Sequence, residues 1–506
     1  MIEVEEPSRE VTSPAAKQEV RVAIIGAGFS GLGMAINLKR EGEEDFVLLE
    51  RADDLGGTWR ANTYPGCACD IPSHLYSFSF APNPDWSQTY SPQPEIWDYL
   101  RRTADEFEIT PHVRYGHDVV SAEWDEDAER WRIETAGGSF VAEVLVAAPG
   151  PLSEPVIPEV PGLESFEGTI FHSAEWNHEH DLAGKRVAVI GTGASAIQFV
   201  PEIQPDVGRM HLFQRTPPWL LPHPGRGITR PERRLFRRLP ALQRLVRAVS
   251  YSWRELLVVG FTMNHRLMRP IERLARRHME KHVTDPEMRK RLTPDYRIGC
   301  KRILQSDTFY PAITQPNVEL VTDSIREVRA SSVITEDGTE REVDTVIFGT
   351  GFRAMEMPVA ERIRGRDGLL LGDEWRTTVQ AYLGTAVAGF PNFFVLIGPN
   401  TGLGHNSMVY MIESQVAYVL DALRAMKERS VGSLEVRSEV QDTYNRQVQR
   451  RMEPTVWTSG GCSSWYLDPS GRNATLWPSF TFKFRRRTRR FDPSSFRLRP
   501  RSPAPS

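Results

Sequence analysis

Residues 21–31 read RVAIIGAGFSG, and residues 186–196, 165 positions later, read RVAVIGTGASA. Each copy is an apolar, β-type run ending in a Gly-x-Gly-x-x-Gly/Ala turn, and a helix-like segment comes next. In such a turn the first glycine (Gly26, Gly191) bends the chain, and the second (Gly28, Gly193) lets the backbone approach a pyrophosphate. The third small residue (Gly31, Ala196) lets the helix pack on the strand, whose partner helix then points its N-terminus at the phosphates. One such turn is weak evidence. Two copies, each between a strand and a helix, predict two dinucleotide-binding units.

The copies differ at the end of their second strands. Twenty-four residues beyond the first glycine stands Glu50 in the first unit and Arg215 in the second. A carboxylate there accepts hydrogen bonds from ribose hydroxyls and repels a 2′-phosphate; a guanidinium does the reverse. Thr216 adds a hydroxyl within reach of the same phosphate. The first unit is therefore expected to hold FAD, and the second NADPH in preference to NADH. Together they imply hydride transfer from NADPH to FAD. The expected fold is α/β: two Rossmann-like dinucleotide-binding domains, the NADPH domain inserted in the FAD domain, with a helical insertion.

The chain has 506 residues, 40% apolar and 25% charged, as in a soluble globular protein of two or three domains. A net charge of −4 gives no signal for a nucleic-acid partner. Apolar stretches such as Leu256–Phe261 are far short of a span, so no stable membrane insertion is expected. The acidic start, MIEVEEPSREVTSP, lacks the apolar region of a secretory signal. Four cysteines are few for this length, and a reducing, cytoplasmic location is expected. Cys67 and Cys69 form C-x-C, not C-x-x-C, and no set of Cys and His has zinc-like spacing, so no metal is expected. All four cysteines read as structural or as neighbours of functional residues.

Residues 1–18 read as a disordered leader, and 19–50 as strand–turn–helix–strand. Gly, Pro, Asn and aromatics make 51–100 a long ordered loop region, and 117–150 alternate like strands. The Pro-rich stretch 149–161 reads as an interdomain linker. Residues 226–302 hold 21 Lys and Arg against 7 Asp and Glu, a local excess of +14. Their apolar residues are spaced as for core packing, so the segment reads as an amphipathic helical insertion with a solvated basic face. Strand patterns return at 317–352, and a helix is expected near 408–428. The predicted domains are 19–152 plus 355–497 for FAD, 153–354 for NADPH with the insertion at 225–295, and a disordered tail at 498–506. The alternation TFKFR near the end suggests a strand.

Residues 166–176, FEGTIFHSAEW, fit the pattern F-x-G-x-x-x-H-x-x-x-W, with Phe166, Gly168, His172 and Trp176 at its fixed positions. Residues 56–70, GGTWRANTYPGCACD, fit a second, longer pattern through Gly57, Trp59, Tyr64, Pro65, Gly66 and Asp70. With GCKR at 299–302, FGTGF at 348–352, GFPN at 389–392 and SWY at 464–466, the chain from about 20 to 497 resembles the type I, flavin-dependent Baeyer–Villiger monooxygenases. It departs at Asn177, where Pro or Asp is usual. The resemblance implies NADPH- and O2-dependent insertion of one oxygen next to a ketone carbonyl, through a C4a-peroxyflavin, giving an ester or lactone.

It also implies roles. Arg302 matches the arginine beside the flavin that stabilises developing negative charge, and Asp70 the carboxylate that orients it. FAD would contact Gly26, Gly28, Ser30, Gly31, Glu50, Arg51, Gly57, Thr58, Trp59, Asp70, Tyr76, Val120 and Met408. NADP would contact Cys69, Gly191, Thr192, Gly193, Ala194, Ser195, Ala196, Ile197, Arg215, Thr216, Lys301, Arg302 and Trp465, with Lys301 near the 2′-phosphate. His172 would couple domain motion to cofactor binding. A ketone and O2 are the expected partners, with sulfides as further substrates. An N- or S-oxygenating flavin monooxygenase is the nearest alternative, and a non-catalytic dinucleotide-binding sensor a more distant one.

Overall fold

The computed structural model describes residues 17–353, 357–468 and 470–501. The first Gly-turn strand is β1 (Gln18–Ile25), and its run Val22–Ile25 is buried on both faces. It is flanked in parallel by β2 (Phe46–Glu50) and a later strand, β6 (Gly138–Ala147), with Ile24 opposite Leu48 and Val146. Near-continuous apolar runs suit such doubly covered parallel strands. With β3 (Val113–Tyr115), β4 (Val119–Asp125) and β5 (Arg130–Thr135) they make one sheet. The second Gly-turn strand, β8 (Arg186–Ile190), centres a separate parallel sheet with β7 (Thr169–His172), β9 (Arg209–Phe213), β10 (Val318–Val321) and β11 (Thr345–Phe348), in the order β10-β9-β8-β11-β7. After this second sheet is complete, β12 (Ile363–Arg364) and β13 (Phe393–Val395) return to the first one, pairing β4 and β6. The second unit thus interrupts the first.

The two turns repeat one steric solution. Gly26 has φ +95°, and a Cβ there would lie 2.7 Å from the Ala148 carbonyl; Gly191 has φ +110°, with a Cβ 2.5 Å from the Gly349 carbonyl. Helix α1 (Phe29–Arg40) lies so close to β1 that a Cβ on Gly31 would sit 1.8 Å from the Gly26 carbonyl. Ala196 opens the equivalent helix, α3 (Ala196–Ile203), and is fully buried.

Several expectations are corrected. Helix α2 (Gln93–Glu106) begins inside the predicted loop region 51–100; Ile96, Tyr99, Leu100 and Thr103 are buried at helical spacing. The alternation at 481–485 does not make a strand. Thr481 and Phe484, three apart, are both buried, and the segment is helix α8 (Thr481–Arg487). The predicted leader 1–18 overlaps β1, which starts at Gln18; residues 1–16 lie outside the described residues. The predicted tail 498–506 overlaps β15 (Phe496–Pro500), held antiparallel to β14 (Val431–Val436), and 502–506 lie outside the described residues. Cys300 and Cys462 form a disulfide, against the expectation from a reducing location, while Cys67 and Cys69 are free and buried.

The insertion is helical as expected: α4 (Arg230–Arg238), α5 (Pro240–Thr262), α6 (Arg269–His282) and α7 (Pro286–Leu292). Helix α5 turns Gln243, Arg247, Arg254 and Glu255 onto the first unit. Its apolar residues are not all core, however. Leu245, Val249, Trp253 and Leu256 are exposed, so the core-packing spacing there serves no core.

Because the Gly31 contact is with backbone, neither partner can move aside. Gly31→Ala is expected to destabilise the protein by ~1–3 kcal/mol, read as a lower urea midpoint at unchanged slope. An unchanged midpoint would show that α1 lifts off β1 freely.

Candidate active site

Both Gly turns end at the carboxyl ends of their central strands and open into one cavity of about 1350 Å³. That is where open α/β sheets bind their ligands. Gly26, Gly28, Ser30, Glu50, Arg51, Gly57, Thr58, Trp59, Asp70, Tyr76 and Met408 line it from the first unit. Cys69, Gly191, Thr192, Gly193, Ala194, Ser195, Ile197, Arg215, Thr216, Lys301, Arg302 and Trp465 line the remainder. Gly31 and Ala196 stand behind the turns and only pack. Val120 is a miss: it is 60% exposed on the outer face of β4, and Asp118 and Val119 line the cavity instead. Side chains alternate along a strand, so a shift of one residue changes face.

The donor sets at the two turns differ as the sequence predicted. Glu50, at the end of β2, is buried and accepts the Ala27 (2.8 Å) and Ala52 (3.0 Å) backbone N–H groups. A carboxylate has lone pairs left for ribose hydroxyls after two such bonds. Gly28 and Gly57 face each other, a Cβ on Gly57 lying 3.1 Å from the Gly28 Cα; side chains here would fill the slot between turn and loop. This cradle fits the pyrophosphate and plain ribose of FAD. Across the cavity Arg215 has no acidic partner among the described residues. Burial lowers the Lys301 pKa, and the positive charge of Arg215 lowers it further. Asp295 partly counters this at Lys301, and two neighbouring cations against that one carboxylate suit a phosphorylated ribose, and so NADP.

Between the halves lies an ion pair. Arg302 donates from Nε to Asp70 Oδ2 (2.5 Å) and from Nη2 to Asp70 Oδ1 (2.6 Å). Both groups sit deep in the molecule, yet about a third of each side chain (30% and 33%) faces the open cavity. Burial would lower the Arg302 pKa, but the Asp70 carboxylate more than offsets it and raises it. Burial would raise Asp70; Arg302, then Arg254, hold it below the ordinary carboxylate value. Nη1 of Arg302 has only a long contact, 3.4 Å to the Leu403 carbonyl.

Arg254 went unrecognised in the sequence. From α5 it donates to the Asp70 carbonyl, the Tyr90 hydroxyl and the His405 carbonyl, each at 3.3 Å. It lies in an arginine-rich helix and belongs to no motif. Gln198 was missed likewise: on α3 it accepts from the Tyr64 hydroxyl (2.8 Å) and donates to the Ala68 carbonyl (3.0 Å), tying the 56–70 loop to the second unit. Trp59 donates to the Tyr76 hydroxyl (3.2 Å). Arg51 donates to the Ser153 carbonyl (3.0 Å) and pairs with Glu154. The Cys300–Cys462 disulfide joins the residue before Lys301 and Arg302 to the segment that carries Trp465. Burial pushes the Cys67 thiol up to about 12 and Cys69 up further, so neither is a thiolate near neutrality.

The 166–176 motif stands outside the main cavity. His172 is fully buried at the end of β7, and its Nδ1 accepts the Ala174 N–H (3.1 Å). Its ring meets Phe352 edge-on. Phe166 packs in the core of the second unit, Gly168 precedes β7, and Trp176 lines a smaller hollow beside Arg60 and Phe352. Burial lowers the pKa of His172 from 6.5 to about 4; burial, then Arg247, does the same to His74. Between those pH values the unfolded chain binds more protons than the folded one. Stability therefore falls as pH drops from 6.5 to 4, by up to ~3 kcal/mol per histidine. Chemical denaturation across this window should show the fall, and His74→Gln should make it shallower; an equally steep fall in that variant would exclude His74 as a contributor.

Residues 19–230 match the family model described as flavin-binding monooxygenase-like. The chain is 53% identical over 488 residues to a Baeyer-Villiger monooxygenase of Pseudomonas aeruginosa, covering 96% of this chain and 93% of that protein. It is 52% identical to one of Streptomyces coelicolor, with 96% and 94% covered. The structure superposes on cyclohexanone monooxygenase from Rhodococcus sp. Phi1 bound to NADP+ with a TM-score of 0.85, at 30% identity, over 96% of this chain and all of the other. With a cradle for each dinucleotide already formed by its own residues, the chain belongs to the Baeyer–Villiger monooxygenases, flavoproteins with FAD and NADP as cofactors.

Proposed function

We propose that Arg302, aimed by Asp70, is the group that stabilises negative charge while one oxygen atom of O2 is inserted beside a ketone carbonyl. The observation that carries this reading is the two-pronged Asp70–Arg302 pair at the meeting point of the two cofactor halves. Asp70 engages Nε and Nη2 and leaves Nη1 directed at a single long contact. A fixed guanidinium with one free edge suits an oxyanion that exists only during reaction, because it needs no reorganisation when the charge appears. Bound FAD supplies hydride acceptance from NADPH and the activation of O2. The protein's part is to hold the two reagents, keep Arg302 charged and shield the cavity from water.

On this reading Glu50 selects the plain ribose, and Arg215 with Lys301 holds the 2′-phosphate. Residues 19–152 and 355–497 form the FAD-binding unit, and 153–354 the NADPH-binding unit with its insertion at 225–295. The return of β12 and β13 to the first sheet supports that division. Dependence on NADPH supports a cytoplasmic location, and the Cys300–Cys462 disulfide runs against it. Sulfides fit the same centre, since oxygen transfer to sulfur needs no carbonyl.

Arg302→Ala is expected to leave anaerobic bleaching of the bound flavin by NADPH intact and to lower ester formation by about 100- to 1000-fold. Product analysis over a ketone and sulfide panel checks it, and normal ketone turnover would remove Arg302 from the mechanism. Arg215→Ala is expected to raise the KM for NADPH roughly 10- to 100-fold, leaving that for NADH and the FAD content unchanged. Equal losses with both nucleotides would contradict a 2′-phosphate role.

A further inference from the structure

The helical insertion carries a surface that the redox reaction does not use. On α5, Leu245, Val249, Trp253 and Leu256 fall within about 80° of one another at 100° per residue, and with Met263 they are 58–73% exposed. Leu267, in the turn that leads to α6, continues the strip. The same helical insertion is rich in exposed arginines. Arg238, Arg244, Arg269 and Arg273 are exposed and have no acidic partner among the described residues. From 230 to 280 the one fully exposed acid is Glu280. The opposite side of α5 is fixed to the first unit through Gln243, Arg247, Arg254 and Glu255, so the apolar strip cannot turn inward.

We propose that this face docks the enzyme reversibly on an anionic phospholipid surface, with α5 lying in the plane of the interface. Three features favour lipid as the occupant. The patch is a convex helix face rather than a groove, and a convex amphipathic helix seats its apolar side among headgroups and acyl chains. The exposed arginines of the insertion complement phosphatidylglycerol or phosphatidylserine headgroups, and arginine stems can cover apolar surface. A second copy docked here would bring two insertions of like charge, each with an excess of +14 over 226–302, against each other, which repulsion disfavours. No helix among the described residues is long and apolar enough to cross a membrane, so the attachment is peripheral. The strip lies on the same helix as Arg254 and Glu255, which hold the Asp70 and 405–406 loops. Docking would therefore bring the site's roof against a phase in which apolar ketones dissolve.

The test is co-sedimentation of the full-length holoenzyme with vesicles of phosphatidylcholine, alone or mixed with phosphatidylglycerol. Pelleting with the mixed vesicles, absent with the neutral ones and weakened by salt, is expected. Each arginine near such a surface is worth roughly fivefold in partitioning, so a variant with Arg238, Arg244, Arg269 and Arg273 all changed to Glu should bind at least several hundredfold more weakly. Trp253→Ser alone should also reduce binding. Both variants should retain FAD and be bleached by NADPH like the parent, which separates loss of docking from loss of fold. Absence of pelleting, binding that ignores the arginine substitutions, or a solution dimer that Trp253→Ser splits would each overturn the proposal.

Discussion

The Asp70–Arg302 pair joins residues 232 positions apart and is where the two cofactor units meet. An ion pair this deep is costly to assemble, because both charges lose water, and more costly to break, because one charge is then stranded. What makes it tolerable is geometry. Two parallel hydrogen bonds satisfy both carboxylate oxygens, and a third of each side chain still faces the cavity. The 56–70 loop cannot move away from the 299–302 segment without stranding those charges. Gln198, bonded to Tyr64 and Ala68, fixes the same loop to α3 from the other side. The second half of the loop is therefore held by the second unit, while its start packs on Gly28 and Trp97 of the first.

The insertion takes part in the same arrangement. Helix α5 presents polar groups inward: Arg247 to the His74 and Ser77 carbonyls, Arg254 to Asp70, and Glu255 to His405, Asn406 and Thr481. Glu255 is buried, and burial would raise its pKa; His405 and Thr481 lead the contacts that hold it below the usual value. Beside these polar groups Leu242, Val246, Val258 and Phe261 pack inward, so α5 has both polar and apolar anchors. Leu245, Val249, Trp253 and Leu256 nonetheless point outward, where an ordinary surface helix is polar.

The central fold was legible because it rests on local steric rules. Glycine at 26 and 191, the apolar strands before them, and the charge reversal between Glu50 and Arg215 each depend on neighbours in sequence. So does the interruption of one unit by the other, once two strand–turn–helix signals are seen. The failures share a different cause. Val120 and Val119 differ only in which face of β4 they occupy, and that is set by the sheet's far partners. The helix at 481–487 reads as alternation until Thr481 and Phe484 are found buried together. Nothing near Cys300 indicates Cys462, and nothing near Arg254 indicates Asp70, since both contacts span more than 150 residues. Burial and pairing across such distances are properties of the assembled chain.

Arg254 bears on the proposed chemistry for an electrostatic reason. When the free edge of Arg302 turns to an anion, part of its charge is drawn from Asp70, and a buried carboxylate left alone would take up a proton. A neutral Asp70 would hold Arg302 through weaker bonds and lose its aim. The second cation prevents this: Arg254 touches the Asp70 backbone and helps keep the carboxyl acidic without competing for its oxygens. On the proposed reading Asp70 stays ionised while Arg302 serves two anions in turn: two positive groups surround one permanent negative group, and the place left for a second negative charge is where oxygen chemistry would generate one.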